Sequence, residues 1–269
     1  MNRILDILKS NGADEAACIR YADCDIINQR LADKLDFLPK SVIIATVPYY
    51  TKHCDKTGTV SSYALAYDYH LLLNHIAEKS IIEAQKFYPD ANFKFFGDHS
   101  PIDEKRAASK AGLGIIGMNS LLITKHRSSF VFLFEILTDL ECNNDCSEVS
   151  YCVQCGRCVD ACPTYLKGNG ECLSSITQKK GSLTDAEIEL IADSGCAWGC
   201  DICQKVCPHT ISAIKNGSIY SNIDWFNTNV CPEPTLESIS DDSDFTKRAY
   251  SWRGKNTILR NIKILNGDK

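Results

Sequence analysis

Apolar positions follow two periods along the first 140 residues and then largely lose both. Ile4, Leu5 and Leu8 fall on one helical face and predict a short helix over residues 2–10. Residues 16–21 read as a strand. Residues 41–50 (S-V-I-I-A-T-V-P-Y-Y) form a β-branched apolar run stopped by Pro48, the pattern of a buried strand. The polar stretch 51–62, with Gly58, reads as a loop. Residues 63–87 carry Leu65, Tyr69, Leu72, Leu73, Ile76 and Ile81 at helical spacing and stop near Pro89. A strand over 92–96 ends in Gly97-Asp98. A helix over 102–111 follows, with Gly112 placed to cap it. Short apolar runs at 121–124 and 129–140 complete the set of strands. Strands and helices mixed in this way predict layers of helix on sheet.

From Cys142 to Cys207 the periodicity gives way to cysteines, interrupted by one helical segment near 183–192. Residues 152–163 read C-V-Q-C-G-R-C-V-D-A-C-P, the C-x2-C-x2-C-x3-C-P spacing of bacterial ferredoxins, whose fourth cysteine ligates the other of two [4Fe–4S] clusters. Cys200, Cys203 and Cys207 repeat the step before Pro208. Thiolates two residues apart wrap a tight loop around one corner of a cube. A residue before proline is held extended, which turns the last cysteine toward the neighbouring cube. A zinc site closes at four ligands from C-x2-C pairs and does not need this double run. A disulfide framework belongs to small secreted chains.

The crossover rule gives cluster one Cys152, Cys155, Cys158 and Cys207. Cluster two takes Cys162, Cys200, Cys203 and a fourth thiol, for which spacing favours Cys196. Cys18, Cys24, Cys54, Cys142, Cys146 and Cys231 read as ordinary thiols, since free cysteine packs as a small hydrophobe.

Composition narrows the remaining classes. The chain has 269 residues, fifteen cysteines, a net charge of −5 and 44% hydrophobic residues. A pI near 5.7 provides no global basic field for nucleic acid. The first ten residues lack a signal-peptide core, and no stretch reaches the ~20 apolar residues of a membrane span. A reducing cytoplasm and a metal-loaded protein are the expectation. The G-x-G-x-x-G at 112–117 follows a helix rather than a strand, so it is not a dinucleotide fingerprint.

Residues 97–123, G-D-H-S-P-I-D-E-K-R-A-A-S-K-A-G-L-G-I-I-G-M-N-S-L-L-I, are the more informative stretch. Together with residues 130–140, the Cys-Pro runs, S-Y-A-L-A-Y-D-Y-H (62–70) and R-G-K-N-T-I-L-R-N (253–261), they resemble the epoxyqueuosine reductases over roughly residues 40–265. That family's typical forms read D-S-x-P-x-x-E, G-L-G-W-I-G-K-N-x-x-L-I, F-F-L-G-E-I-L and S-R-Y-A-x-G-x-D-Y-H. The resemblance implies an oxidoreductase carrying two [4Fe–4S] clusters and cobalamin, which reduces epoxyqueuosine to queuosine on the wobble base of tRNA. It implies an α+β chain: an α/β layered, nitroreductase-like corrinoid and substrate domain over residues 1–140, a ferredoxin-like cluster domain over 141–212, and a tail over 213–269 that packs back on the core.

Asp98 matches the family's catalytic aspartate, the acid that protonates the departing oxygen. From its residues alone, Asp98 also suits a turn before Pro101. Gly112, Gly114, Gly117, Asn119 and Ser129 match corrinoid-contact positions, and the glycines would let backbone approach a flat ring; a helix cap and turn would need them equally. The match at E-C-L-S-S-I-T-Q-K-K-G favours Cys172 as the last ligand of cluster two. Asp68-Tyr69-His70 lacks the glycine of D-x-H-x-x-G, so cobalt is expected to take no protein histidine. His99 neighbours Asp98. Arg253, Lys255, Arg260 and Lys263 on the tail helix offer either a basic face for tRNA phosphates or a solvated face. A flavodoxin or ferredoxin would supply electrons to a monomer.

The chain departs from the family in several places. Residues 25–40 are too short for the G-Y-x-G-x-M-x-Y and Arg-Pro motifs, which help build the substrate pocket. Met118 replaces Lys and Phe134 replaces Gly where cofactor or substrate should pack. The sequence ends at Lys269, where many relatives continue into helical repeats that grip tRNA. These departures keep two other readings in view: a two-cluster electron-transfer protein, and a reductive activator of another corrinoid protein.

Overall fold

The computed structural model describes residues 1–56, 58–142 and 147–268. The chain forms two compact units, and neither is continuous in sequence: residues 1–48 with 70–154, and residues 49–69 with 155–269.

The first unit is built on a four-stranded antiparallel sheet of order β1-β2-β6-β3. β1 is Glu15–Arg20, β2 Ser41–Pro48, β3 Phe93–Phe96 and β6 Val131–Thr138. β2 is buried at every position, as its unbroken apolar run requires. The opening helix α1 (Asn2–Ser10) buries Ile4, Ile7 and Leu8, so Ile7 takes the place expected for Leu5. Asn11, just past its end, donates to the Ser80 hydroxyl of α2 (Tyr69–Gln85). α2 begins six residues later than the apolar spacing predicts, because residues 62–64 form a separate helical turn.

α3 (Glu104–Lys110) covers one face of the sheet. It is capped by the Asp103 carboxylate, which accepts from the Arg106 amide at 3.1 Å. It ends where expected: Gly112 takes a left-handed φ of 83°, and Leu113 N closes back on Ala108 O. Ala107 and Ala108 pack with Ile19, Val42, Ile44, Ile102 and Leu137. Beyond α3, β4 (Ile115–Ile116) and β5 (Leu122–Ile123) form a two-stranded hairpin.

Phe134 on β6 is fully buried, with its ring 5.7 Å from Phe95. The residue that replaces the family's glycine therefore fills core on the face opposite α3, rather than cofactor space. A second correction concerns Cys18 and Cys142, which are bonded as a disulfide rather than standing as free thiols. The Ser41 hydroxyl donates to Leu140 O, so the chain leaving β6 crosses the start of β2 and reaches β1. Cys146 lies outside the described residues.

The second unit holds the cysteine runs on short helices. α4 (Arg157–Ala161) packs on α7 (Ile202–Lys205), bringing the two runs together. α5 (Leu173–Thr177), α6 (Asp185–Ser194) and the last helix, α9 (Lys255–Asn266), enclose Leu173, Ile176 and Ile191. Between α7 and α9, α8 is Pro208–Lys215. Asn261 of α9 is wholly buried and donates to Thr177 O and Ala197 O. Residues 49–69 join this unit through Ser61 N, which donates to Trp198 O at 2.8 Å. Gly199 has to be glycine at this seam: its φ is +72°, and a Cβ there would sit 2.5 Å from Ser61 Cβ.

Candidate functional site

Asp98 sits at the centre of a three-residue turn in which His99 N donates to Gly97 O at 2.8 Å. Its φ of 62° is the left-handed value that such a turn demands. Strain of this kind costs about 1–3 kcal/mol and is held only where the surroundings fix it. Its side chain is half exposed, and His70 Nε2 on the first turn of α2 lies 3.0 Å from its Oδ2. The turn opens on a cleft of about 360 Å³ lined by Ile27, Asn28, His99, Ser100, Asp103 and Glu104 as well as Asp98.

Two more carboxyls lie within electrostatic reach of Asp98. Glu135 on β6 is fully buried, and neither of its oxygens has a hydrogen-bond partner. Glu104, the first residue of α3, has its Oε2 buried and equally unpartnered. Burial first, and then the charge of Asp98, raise the Glu104 carboxyl to about 7. Burial first, and then Glu104, hold Glu135 well above the ordinary carboxyl range.

The candidate corrinoid positions lie along the β4–β5 hairpin and its approach. Each glycine is already called for by the chain itself, Gly112 by its left-handed φ and the other two by packing. Gly112 ends α3, a Cβ on Gly114 would meet Ile123 O at 2.6 Å, and one on Gly117 would meet the Asn119 side chain. Asn119 Oδ1 accepts from Leu121 N at 3.4 Å, and Ser129 is buried at the entry to β6. The helix-cap and turn reading of these glycines therefore holds. The edge still suits a flat macrocycle, because nothing lies within 4 Å of a Cβ on Gly112 and Met118 is exposed.

The cluster cysteines have the local conformation that their spacing predicts. Cys162 (φ −65°, ψ 128°) and Cys207 (φ −66°, ψ 131°) are both extended before their prolines. Gln154 and Gly156 take positive φ between the first three cysteines and bend that loop. Cys172 is exposed at the start of α5, whereas Cys196 is half buried with its free thiol against that of Cys200. Among the described residues no three potential ligand side chains converge on one point. A soft, all-thiol donor set of this kind suits iron–sulfur clusters, and ligands and metal order together. Asp201, between two of these cysteines, is buried and accepts from the Ser61 hydroxyl, the Ser62 amide at 2.7 Å and the Gln204 amide at 3.3 Å.

The expected basic face of the tail is mostly spent on the chain itself. Arg260 donates to Lys179 O and Gly181 O, Lys255 pairs with Asp242 at 2.6 Å, and Arg253 stacks on Trp252 at 3.9 Å. Only Lys263 of the four stays exposed without such a contact among the described residues. No described helix is long and apolar enough to cross a membrane.

Sequence reasoning missed His70, Glu104 and Glu135 as members of the site. All three carried a signal. His70 closes the D-Y-H motif, Glu104 closes D-H-S-P-I-D-E, and Glu135 is the one charge inside an apolar strand.

A family model described as a 4Fe-4S double cluster binding domain matches residues 151–210. The epoxyqueuosine reductase of Lactococcus garvieae (strain Lg2) is 33% identical over 253 residues, spanning 88% of this chain and 71% of that protein. The structure of epoxyqueuosine reductase from Streptococcus thermophilus superposes with a TM-score of 0.76 at 27% identity, covering 98% of this chain and 80% of that one. A crystal structure of epoxyqueuosine reductase with a tRNA-Tyr epoxyqueuosine-modified stem loop shares the fold, with a TM-score of 0.78 at 23% identity over the same shares. On the identity and coverage of these relatives, the chain belongs to the epoxyqueuosine reductase family.

Proposed function

We propose that this protein is a cobalamin-dependent iron–sulfur reductase that converts epoxyqueuosine to queuosine in tRNA, with Asp98 as its acid. The observation that carries the reading is Asp98 itself, strained at the mouth of a cleft, paired with His70, and neighboured by the buried Glu135 and by Glu104, whose Oε2 is buried. When bound, the two clusters and cobalamin supply electrons to the carbon that loses oxygen. Cys152, Cys155, Cys158 and Cys207 hold one cluster; Cys162, Cys172, Cys200 and Cys203 hold the other. Gly112, Gly114, Gly117, Asn119 and Ser129 border the corrinoid.

The chain's own residues manage the oxygen. Asp98 delivers a proton to it, and His70 orients Asp98 and returns charge balance afterwards. The cleft seats the modified base, with Ile27 giving it an apolar wall. A sheet flanked by helices supports a nitroreductase-like layer for the first unit. Clusters that pass electrons singly call for a one-electron donor such as flavodoxin or ferredoxin, and we take the working form to be a monomer. The relative seen with a tRNA stem loop supports tRNA as substrate.

The test is anaerobic titration of the cluster-loaded protein with cob(II)alamin, read by electron paramagnetic resonance, followed by a single turnover on an epoxyqueuosine stem loop read by mass spectrometry. A stoichiometric change to a base-off cobalt spectrum and formation of queuosine are expected. Full iron content without any cobalt change would leave a two-cluster electron carrier. A cobalt change without queuosine would point to another substrate or to an activator of corrinoid proteins.

A further inference from the structure

We propose that Glu104 and Glu135 share a proton and pass it to Asp98, resupplying the second proton that epoxide removal consumes. The inference rests on the reductase reading. Taking the oxygen out of an epoxide to leave an alkene breaks two C–O bonds. It consumes two electrons, which the clusters and cobalamin relay from the donor, and two protons, and it releases water. Asp98 provides one proton as the first C–O bond opens and the oxygen becomes a hydroxyl. The second C–O bond leaves as water only when that hydroxyl is protonated in turn. Asp98 and His70 hold one proton between them across their 3.0 Å contact, so once Asp98 has given it up a second must come from elsewhere, and a base seated in the cleft covers the exposed side.

The structure places the supply on the covered side. Glu135 occupies the α3 face of β6, with Ile44 on β2 and Phe96 on β3 as its cross-strand neighbours, neither able to hold a proton. Its own two oxygens and Glu104 Oε2 are the unpartnered carboxylate atoms of this site among the described residues. The polar groups facing Glu135 are Glu104, the Ser100 hydroxyl and Asp98, with the Cys24 thiol within electrostatic reach. Those facing Glu104 are Asp98, Lys105, Glu135 and Asp103. Only Lys105 among them is a cation, and it opposes three carboxyls. Two carboxyls that share a dry site do not both ionise, so the pair retains a proton near neutrality. Glu104 joins the two ends, because it lines the cleft with Asp98 and begins the helix that packs on β6, within electrostatic reach of Glu135.

The experiment has two arms on the cluster-loaded, cobalamin-loaded protein. The first is an infrared pH titration without substrate. The wild type is expected to show a protonated-carboxyl band that bleaches around pH 7, and Glu135→Gln and Glu104→Gln are each expected to weaken it and shift its midpoint. Glutamine has the shape of the protonated acid, so both variants should fold. The second arm is the pH profile of single turnover on the epoxyqueuosine stem loop. The wild-type rate should be flat up to about pH 7. Glu135→Gln should be at least ~10-fold slower, should fall with pH throughout, and should be rescued by Glu135→Asp and by small carboxylic acids in the buffer. A wild type without the band overturns the proposal, as does a Glu135→Gln profile parallel to the wild type. A wild type that forms no queuosine fails the reductase reading itself, and this proposal with it; the wild-type turnover distinguishes the two failures.

Discussion

His70 Nε2 sits 3.0 Å from Asp98 Oδ2, joining the first turn of a helix to the strained centre of a turn 28 residues further along the chain. Both side chains are 40–50% exposed (42% and 50%), so the pair itself adds only about 0–1 kcal/mol of stability. Its importance is chemical. The pair can hold one proton on either side of the bond, beside the cleft, and it fixes the direction in which Asp98 presents that proton. Asp98→Asn should abolish single turnover while iron content stays at the wild-type level. His70→Ala should slow turnover by ~10- to 100-fold, and His70→Gln, which keeps a donor, should recover part of it. Unchanged turnover in both His70 variants would remove the histidine from the mechanism.

Stability should fall as the pH rises toward and through 7. The folded protein keeps a proton on Glu104 up to about 7, whereas the unfolded chain releases it at the ordinary glutamate value of about 4.3. Below both values the two states are equally protonated. Between them the folded state holds the extra proton, so each rise in pH favours unfolding. The loss across that window is of order 3 kcal/mol. Glu104→Gln should flatten this part of the curve and be more stable than the wild type at pH 8, as measured by chemical denaturation across pH.

The sheet strands, α1, α3 and the cap at Gly112 were legible in the sequence because each rests on local chemistry: a period, an Asp at a helix start, a glycine at a helix end. The double-cluster domain was legible because thiol spacing is set by the size of a cube. What was not legible depends on contacts between distant segments. The Cys18–Cys142 bond requires the chain after β6 to cross β2, and no pattern around either cysteine announces that. Residues 49–69 look like a loop inside the first domain, yet they form part of the second unit through Ser61 and Trp198. Arg260 looked like a surface cation and is instead a structural donor to two backbone carbonyls.

Asp201 should matter to the second unit more than its place between cysteines suggests. It is buried, and it accepts from Ser61, Ser62 and Gln204, tying residues 49–69 to the second cysteine run. Asp201→Ala leaves a buried amide N–H and a hydroxyl without an acceptor, a loss of roughly 3 kcal/mol or more. Asp201→Asn keeps one acceptor oxygen and should cost less. Thermal melts of the cluster-free protein, compared with iron retained after reconstitution, should show both variants impaired in that order.

The fourth ligand of the second cluster distinguishes two cysteines with different surroundings. Cys172 is exposed at the start of α5, so its thiol is free to turn onto an incoming cluster. Cys196 is closer in sequence to Cys200, but its thiol already donates to Ser194 O at 3.6 Å and lies against the free Cys200 thiol. That position suits a thiol beside a ligand sulfur, the kind of neighbour that tunes a cluster's potential without holding its iron. Cys172→Ala should therefore lose one cluster, about half the iron, on anaerobic reconstitution. Cys196→Ala should retain full iron and shift only the reduction potential of the second cluster. Iron analysis with paramagnetic resonance of the reduced protein checks both. Half the iron in Cys196→Ala with full iron in Cys172→Ala would transfer the ligand role to Cys196, and with it the position that spacing alone favours.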